Sequence, residues 1–141
     1  MTPPVSQFAA PEYAEVAFYE AICRGDLKTL MSVWSEEEEV VCVHPTGQRM
    51  RGLQEIREGW QSVLTQGLRV SVTPLHRWQT MVMAVHLVQE TLYVGDDQTP
   101  HGPLFSTNVY MRGAHGWRLV SHHSTAAVDA EHAIADQRIL H

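Results

Sequence analysis

The apolar and polar positions along the 141 residues change rhythm once, near Gly67. Before that point the spacing is helical. Tyr13, Val16, Ala17 and Ile22 predict a helix over 12–24, with Pro11 in a first turn where its missing N–H costs nothing and Glu20 and Arg24 as an i,i+4 pair. Gly25 is expected to cap it, and Asp26 to open a second helix carrying Leu27, Leu30, Met31 and Trp34 on one stripe. Four glutamates at 36–39 oppose the dipole of that helix, so it should stop near Ser35. Residues 40–44, VVCVH, read as a short buried strand closed by Pro45-Thr46-Gly47. A third helix over 53–65 presents Leu53, Ile56, Trp60 and Leu64 on one face.

After Gly67 the pattern is that of strands. Residues 68–78 form one strand, interrupted or bulged at Pro74, which cannot donate to a ladder. A long strand covers 81–94, and 95–103 reads as a mobile connection. Runs 105–111 and 117–124, joined by Arg112-Gly113-Ala114-His115-Gly116, predict a hairpin. Helices followed by strands give the α+β class, with helices on one face of the sheet. The strands are apolar on both faces, since Met81, Met83, Val85 and Leu87 alternate with Val82, Ala84 and Val88. The second face therefore needs cover, and a second copy of the chain, making a homodimer through the sheet face, supplies it most simply.

Composition narrows the classes further. With 44% hydrophobic residues the chain is globular, and residues 1–126 fit one domain that opens with a loose lead-in at 1–10 and is followed by a polar-mixed tail at 127–141, read as a short helix at most. A net charge of −6 and a pI near 5.8 offer no basic field for phosphate backbones, so nucleic acid is not an expected partner. No apolar run spans a bilayer, and MTPPVSQFAAPEY has neither the basic nor the apolar region of a signal peptide. Cys23 and Cys42, lacking a framework spacing, read as reduced core fillers, and a cytoplasmic location is expected.

Three stretches carry a resemblance. FYEAICRGDLKTLMSVW places GDL after the first helix and a Trp beyond it, VVCVHP is a strand and turn, and GWRLVSHHST closes the last strand. Together, over about residues 10–125, they resemble the SnoaL-like branch of the nuclear transport factor 2-like superfamily. The resemblance implies a curved antiparallel sheet forming a cone, three N-terminal helices on its concave side, and a homodimer through the convex face. The superfamily includes ketosteroid isomerase, scytalone dehydratase, polyketide cyclases, the kinase association domain and members without assigned activity, so the fold does not set the chemistry.

Side chains alternate across a strand, so parity sorts the candidate site. If even positions face the cone, it receives His86, Glu90, Asn108, Tyr110, His122 and Ser124. The resemblance favours that parity, because the kinase association domain has buried polar residues matching His86, Asn108 and Ser124. The odd set (Met83, Val85, Leu87, Phe105, Val109, Met111, Trp117 and Leu119) would suit the dimer face, and a single bulge would reverse part of a strand. Polar groups on apolar strands are costly unless paired or used. His86 reads as a hydrogen-bonded core histidine or a site group, and Glu90 as a surface carboxylate or a general base with a pKa raised by burial. Asn108 and Tyr110 could orient a ligand carbonyl or hydroxyl. His122 and the adjacent His123 point to opposite faces, so only one can serve the site. Tyr19, Trp34 and Trp60 would line the cone or simply fill the core, and His44 sits where it should open.

Neither HxH nor HExxH occurs among nine histidines, and the 36–39 run lacks alternating ligands and a loop glycine, so no metal is expected. No Ser or Cys occupies a nucleophile elbow. Two functions follow, neither using a cofactor. In one, the cone binds a small, mostly apolar molecule. In the other, His86, His122 or Glu90 acts as general acid or base in an isomerase, dehydratase or cyclase.

Overall fold

The computed structural model describes residues 8–127. Three helices, α1 (Pro11–Arg24), α2 (Leu27–Ser32) and α3 (Gly52–Leu64), pack beside six strands. The strands are β1 (Val41–Val43), β2 (Arg49–Arg51), β3 (Leu68–Gln79), β4 (Met83–Val94), β5 (His101–Gly113) and β6 (Gly116–Ala126). They form one sheet in the order β2-β1-β6-β5-β4-β3. This is the expected α+β arrangement. The expected short helix in the tail lies outside the described residues.

The local signals act as their chemistry requires. Gly25 takes φ +65° and donates its N–H back to Ile22, ending α1. Asp26 accepts from the Thr29 N–H at 3.1 Å and so caps α2. That helix stops at Ser32, three residues earlier than its apolar stripe predicts. The reason is tertiary: Leu119 N–H donates to the Val33 carbonyl at 2.8 Å, and Ser35 N–H donates to Leu119 at 2.9 Å. The chain from Val33 therefore already runs alongside β6.

That docking also sets the direction of β1. It continues along β6 in parallel, with Val41, Cys42 and Val43 opposite Ser121, His122 and His123, so the sheet is mixed rather than wholly antiparallel. The remaining neighbours are antiparallel. Strand β2 falls outside every element the sequence pattern predicts. Strand β5 begins at His101, inside the stretch that reads as a connection.

Register shifts at Pro74/His76, Glu90/Leu92 and Val109/Tyr110 put extra residues into the long strands, and such bulges bend a sheet. The last of them corrects part of the parity reading. Val109 faces Ser121 while Tyr110 faces Leu119, so Val120 is the extra residue and the faces swap before it. Trp117 and Leu119 consequently lie in the core instead of on the outer face. The other odd positions on β4 and β5, from Met83 to Met111, stay at least partly exposed.

Phe18 centres the core. Its ring makes edge contacts with Tyr19, Trp34, Trp60 and His122 at centroid distances of 5.0, 6.3, 5.5 and 5.2 Å. α1 rests on β3 and β6, while α3 stands over β1 and β2. Between α3 and the sheet the packing opens into a cavity.

Candidate functional site

The cavity measures about 620 Å³. Its apolar wall comes from Ile22 on α1, Met50 on β2, Trp60 and Val63 on α3, and Leu68 and Val70 on β3. At its polar end stand Tyr19, Glu90, His122 and Ser124, with His44 nearby. Six of the ten residues expected from the sequence thus line one cavity: Tyr19, His44, Trp60, Glu90, His122 and Ser124. Trp34, His86, Asn108 and Tyr110 are buried but do not line it.

Two hydrogen-bonded clusters organise these side chains. In the first, the Tyr19 hydroxyl donates to Oε2 of Glu90 at 2.5 Å and accepts from Asn108 Nδ2 at 2.9 Å. Asn108 Oδ1 then meets Nδ1 of His122 at 2.5 Å. Ser124 donates to Oε1 of Glu90 at 3.2 Å and pairs with Ser106. Asn108 reaches His122 because the two are opposite in the β5–β6 register, with His86 opposite on the other side, and it meets Tyr19 where α1 packs on this face of the sheet.

In the second cluster Oε2 of Glu15, on α1, lies 2.7 Å from His86 Nδ1 and accepts from the Tyr110 hydroxyl at 2.9 Å. Its other oxygen is 3.7 Å from Arg77. Glu15 and Ser106 are the polar members that sequence reasoning missed. Glu15 lies four residues before Tyr19, on the helix face turned to the sheet, among buried Ala14 and Phe18, but its residue type gives no sign of this in the sequence.

Burial and these contacts set the protonation tendencies. Burial pushes the Glu90 carboxyl up, against the lowering effect of Tyr19, Ser106 and Ser124. Burial followed by the nearby Glu90 carboxylate raises Tyr19 well above its ordinary value. His122 falls to about 4 through burial and then His123; His44 falls to about 4 through burial and then His122. Burial would raise Glu15, but the hydrogen bond and charge of His86, with Tyr110 and Arg77, bring it below the usual carboxylate range. The cavity therefore offers neutral imidazoles and a carboxyl that holds its proton unusually well. His44 Nε2 is buried without a hydrogen-bond partner, and its ring meets Trp60 edge-on at 4.9 Å.

Among the described residues, no group of three His, Cys, Asp or Glu could hold a metal ion. The glutamates at 36–39 are exposed, and burial pushes the Cys42 thiol up to about 12, away from the reactive thiolate. Among the described residues no helix is long and apolar enough to cross a membrane.

Known proteins resemble this chain in sequence or in fold. The F-box protein SKIP8 of Arabidopsis thaliana is 26% identical over 126 residues, which are 87% of this chain. The chain spans about half the length of that curated relative, 50%. A Thiobacillus denitrificans protein, provisionally assigned as a calcium/calmodulin-dependent protein kinase type II association domain, is 33% identical with a TM-score of 0.79, over 89% of this chain and 100% of its own. A provisionally assigned dehydratase of the nuclear transport factor 2-like family, from Streptomyces avermitilis, is 27% identical with a TM-score of 0.76, covering 84% of this chain and 94% of its own. The SnoaL-like domain profile matches residues 14–129, the helices, the sheet and the cavity alike, and the chain belongs to the SnoaL-like family of the nuclear transport factor 2-like superfamily.

Proposed function

We propose that the protein binds a small, mostly apolar molecule in the cone, without a cofactor. The observation that carries this reading is the cavity of about 620 Å³, in which the apolar Met50, Trp60, Val63, Leu68 and Val70 meet the buried, polar Tyr19, Glu90, His122 and Ser124, while exposed Glu55 and Glu58 of α3 complete the lining. Its size and lining are those of small-molecule sites, where a few placed polar groups orient an otherwise apolar ligand. The strip of exposed apolar side chains on β3, β4 and their turn supports a homodimer through the outer sheet face: Trp78 is 54% and Met81 82% exposed. A cytoplasmic location remains part of the same proposal.

Native mass spectrometry of the purified protein, followed by denaturation, tests both parts. A dimer that releases one small organic mass per chain supports them. Protein that stays ligand-free after incubation with a library of apolar small molecules overturns the binding reading, and a monomer overturns the dimer.

One observation favours a second reading, that of an isomerase, dehydratase or cyclase. Glu90 combines a raised pKa with a place on the cavity wall beside His122, a pairing suited to moving a proton on a carbonyl compound. The Streptomyces avermitilis neighbour points the same way. Of the candidate acid/base groups, His86 takes no part in this reading, because it does not line the cavity.

A further inference from the structure

The hydrogen-bond chain that ends at His122 fixes what that ring can offer a ligand. Tyr19 has one hydroxyl proton, and it goes to Oε2 of Glu90. The Tyr19 oxygen must then accept, and the group that donates to it is Asn108 Nδ2. This turns Asn108 Oδ1, an acceptor, towards His122. An acceptor there requires the proton on Nδ1, which leaves Nε2 of a neutral ring with a lone pair. Nε2 makes no hydrogen bond with the described residues, and His122 lines the cavity. The cavity thus contains a preset acceptor on β6, held by a chain of three residues from α1, β4 and β5.

Charge narrows the occupant further. Among the described residues lining the cavity, the one Lys or Arg is Arg49, an exposed side chain on β2, whereas Glu55, Glu58 and Glu90 are acidic. Among the described residues, no buried Lys or Arg lines the cavity to receive a carboxylate or phosphate. An anion there would meet Glu90 and the lone pair of His122.

We propose that the ligand is an uncharged, mostly apolar molecule bearing a hydroxyl group, which donates its proton to Nε2 of His122. The inference rests on the small-molecule reading above and deepens it. Burial, which holds the His122 pKa at about 4, keeps the ring neutral near pH 7 and agrees with an acceptor role.

Three probes of one shape separate the possibilities: 2-naphthol, its methyl ether 2-methoxynaphthalene, and the anion 2-naphthoate. Their affinities are to be measured by calorimetry near neutral pH. One hydrogen bond of ordinary strength predicts that 2-naphthol binds about tenfold more tightly than its ether, with naphthoate weaker again. In His122→Phe the ratio of alcohol to ether should fall to about one. Nitrogen NMR of the histidine rings in the unaltered protein covers the case in which that variant does not fold. The Nδ1–H tautomer of His122 is expected, with the Nε2 signal moving on addition of 2-naphthol. Binding of the ether as tight as the alcohol, preference for naphthoate, or an Nε2–H tautomer would each overturn the inference while leaving the pocket itself intact. If none of the three probes binds, the inference falls, and the small-molecule reading falls with it only where the protein also stays ligand-free in the library test above.

Discussion

Nδ1 of His86 on β4 lies 2.7 Å from Oε2 of Glu15 on α1, although 71 residues separate them in the chain. The same carboxylate receives the Tyr110 hydroxyl from β5 and faces Arg77 from β3. One side chain thus joins the first helix to three neighbouring strands of the sheet. Tyr19, one turn further along, repeats the arrangement through Glu90 and Asn108. α1 is therefore attached by a polar stripe as well as by Phe18 and Ile22.

Replacing Glu15 by leucine should cost about 3–5 kcal/mol, because it leaves the His86 ring and the Tyr110 hydroxyl buried without their acceptor. Glu15→Gln retains an acceptor for one of them and should cost about 1–3 kcal/mol. Urea midpoints at unchanged m-value provide the comparison. A loss below about 1 kcal/mol for the leucine variant would show that α1 is held by its apolar contacts alone.

This cluster marks the limit of what the sequence discloses. The helices and long strands are legible because their apolar spacing is long and regular, and Pro74 announces its own bulge. The even positions from His86 to Ser124 stand out as polar residues within apolar strands. Glu15 does not, because a glutamate on an amphipathic helix ordinarily faces water and nothing local reveals that His86 will meet it. Trp117 and Leu119 escape the parity rule for a related reason. The extra residue at Val120 is a property of pairing between β5 and β6, and no proline or glycine signals it. The parallel course of β1 likewise depends on Val33 and Ser35 finding Leu119, a contact between distant parts of the chain.

Acid should destabilise the protein in a defined window. His44 and His122 have folded values of about 4, below the ordinary 6.5, so the unfolded chain takes up their protons first as pH falls. Stability is complete above about 6.5 and is lost between there and about 4, on the order of 3 kcal/mol for fully buried His122 and less for His44. The lowered Glu15 adds a loss below the ordinary carboxylate range. Glu90, raised by burial, acts in the opposite sense, since the folded state keeps its proton as pH rises. Melting temperatures measured from about pH 7 down to pH 4.5 should fall steadily. A flat profile across that range would contradict neutral, buried imidazoles.

The outer sheet face yields a prediction about assembly. Leu75, Trp78, Met81, Val82 and Met83 are all exposed, and the His76 ring meets Trp78 at a tilt, 4.1 Å between centroids. Sedimentation equilibrium should report a dimer. Trp78→Glu should shift it to monomer by burying a charge at the contact, with an unchanged circular dichroism spectrum, since Trp78 makes little contact with the core. A variant that stays dimeric would place the interface elsewhere.

Gly59 on α3 controls the room available to a ligand. A methyl group added there would come within 2.0 Å of Sδ of Met50, too close for either atom to stay in place. The helix backbone need not move, because the obstacle is the flexible end of a methionine. Alanine is also favoured over glycine inside a helix by about 1 kcal/mol, which offsets some repacking. Met50 lines the cavity, so the open space beside its thioether is the cavity itself. Gly59→Ala should therefore leave stability within about 1 kcal/mol of the parent while weakening 2-naphthol about tenfold, the scale set by one misplaced methyl-sized group in an apolar site. Calorimetry beside a urea titration separates the two quantities. Unchanged binding together with a stability loss above about 2 kcal/mol would mean that Met50 moves into the core and that the cavity does not need this wall.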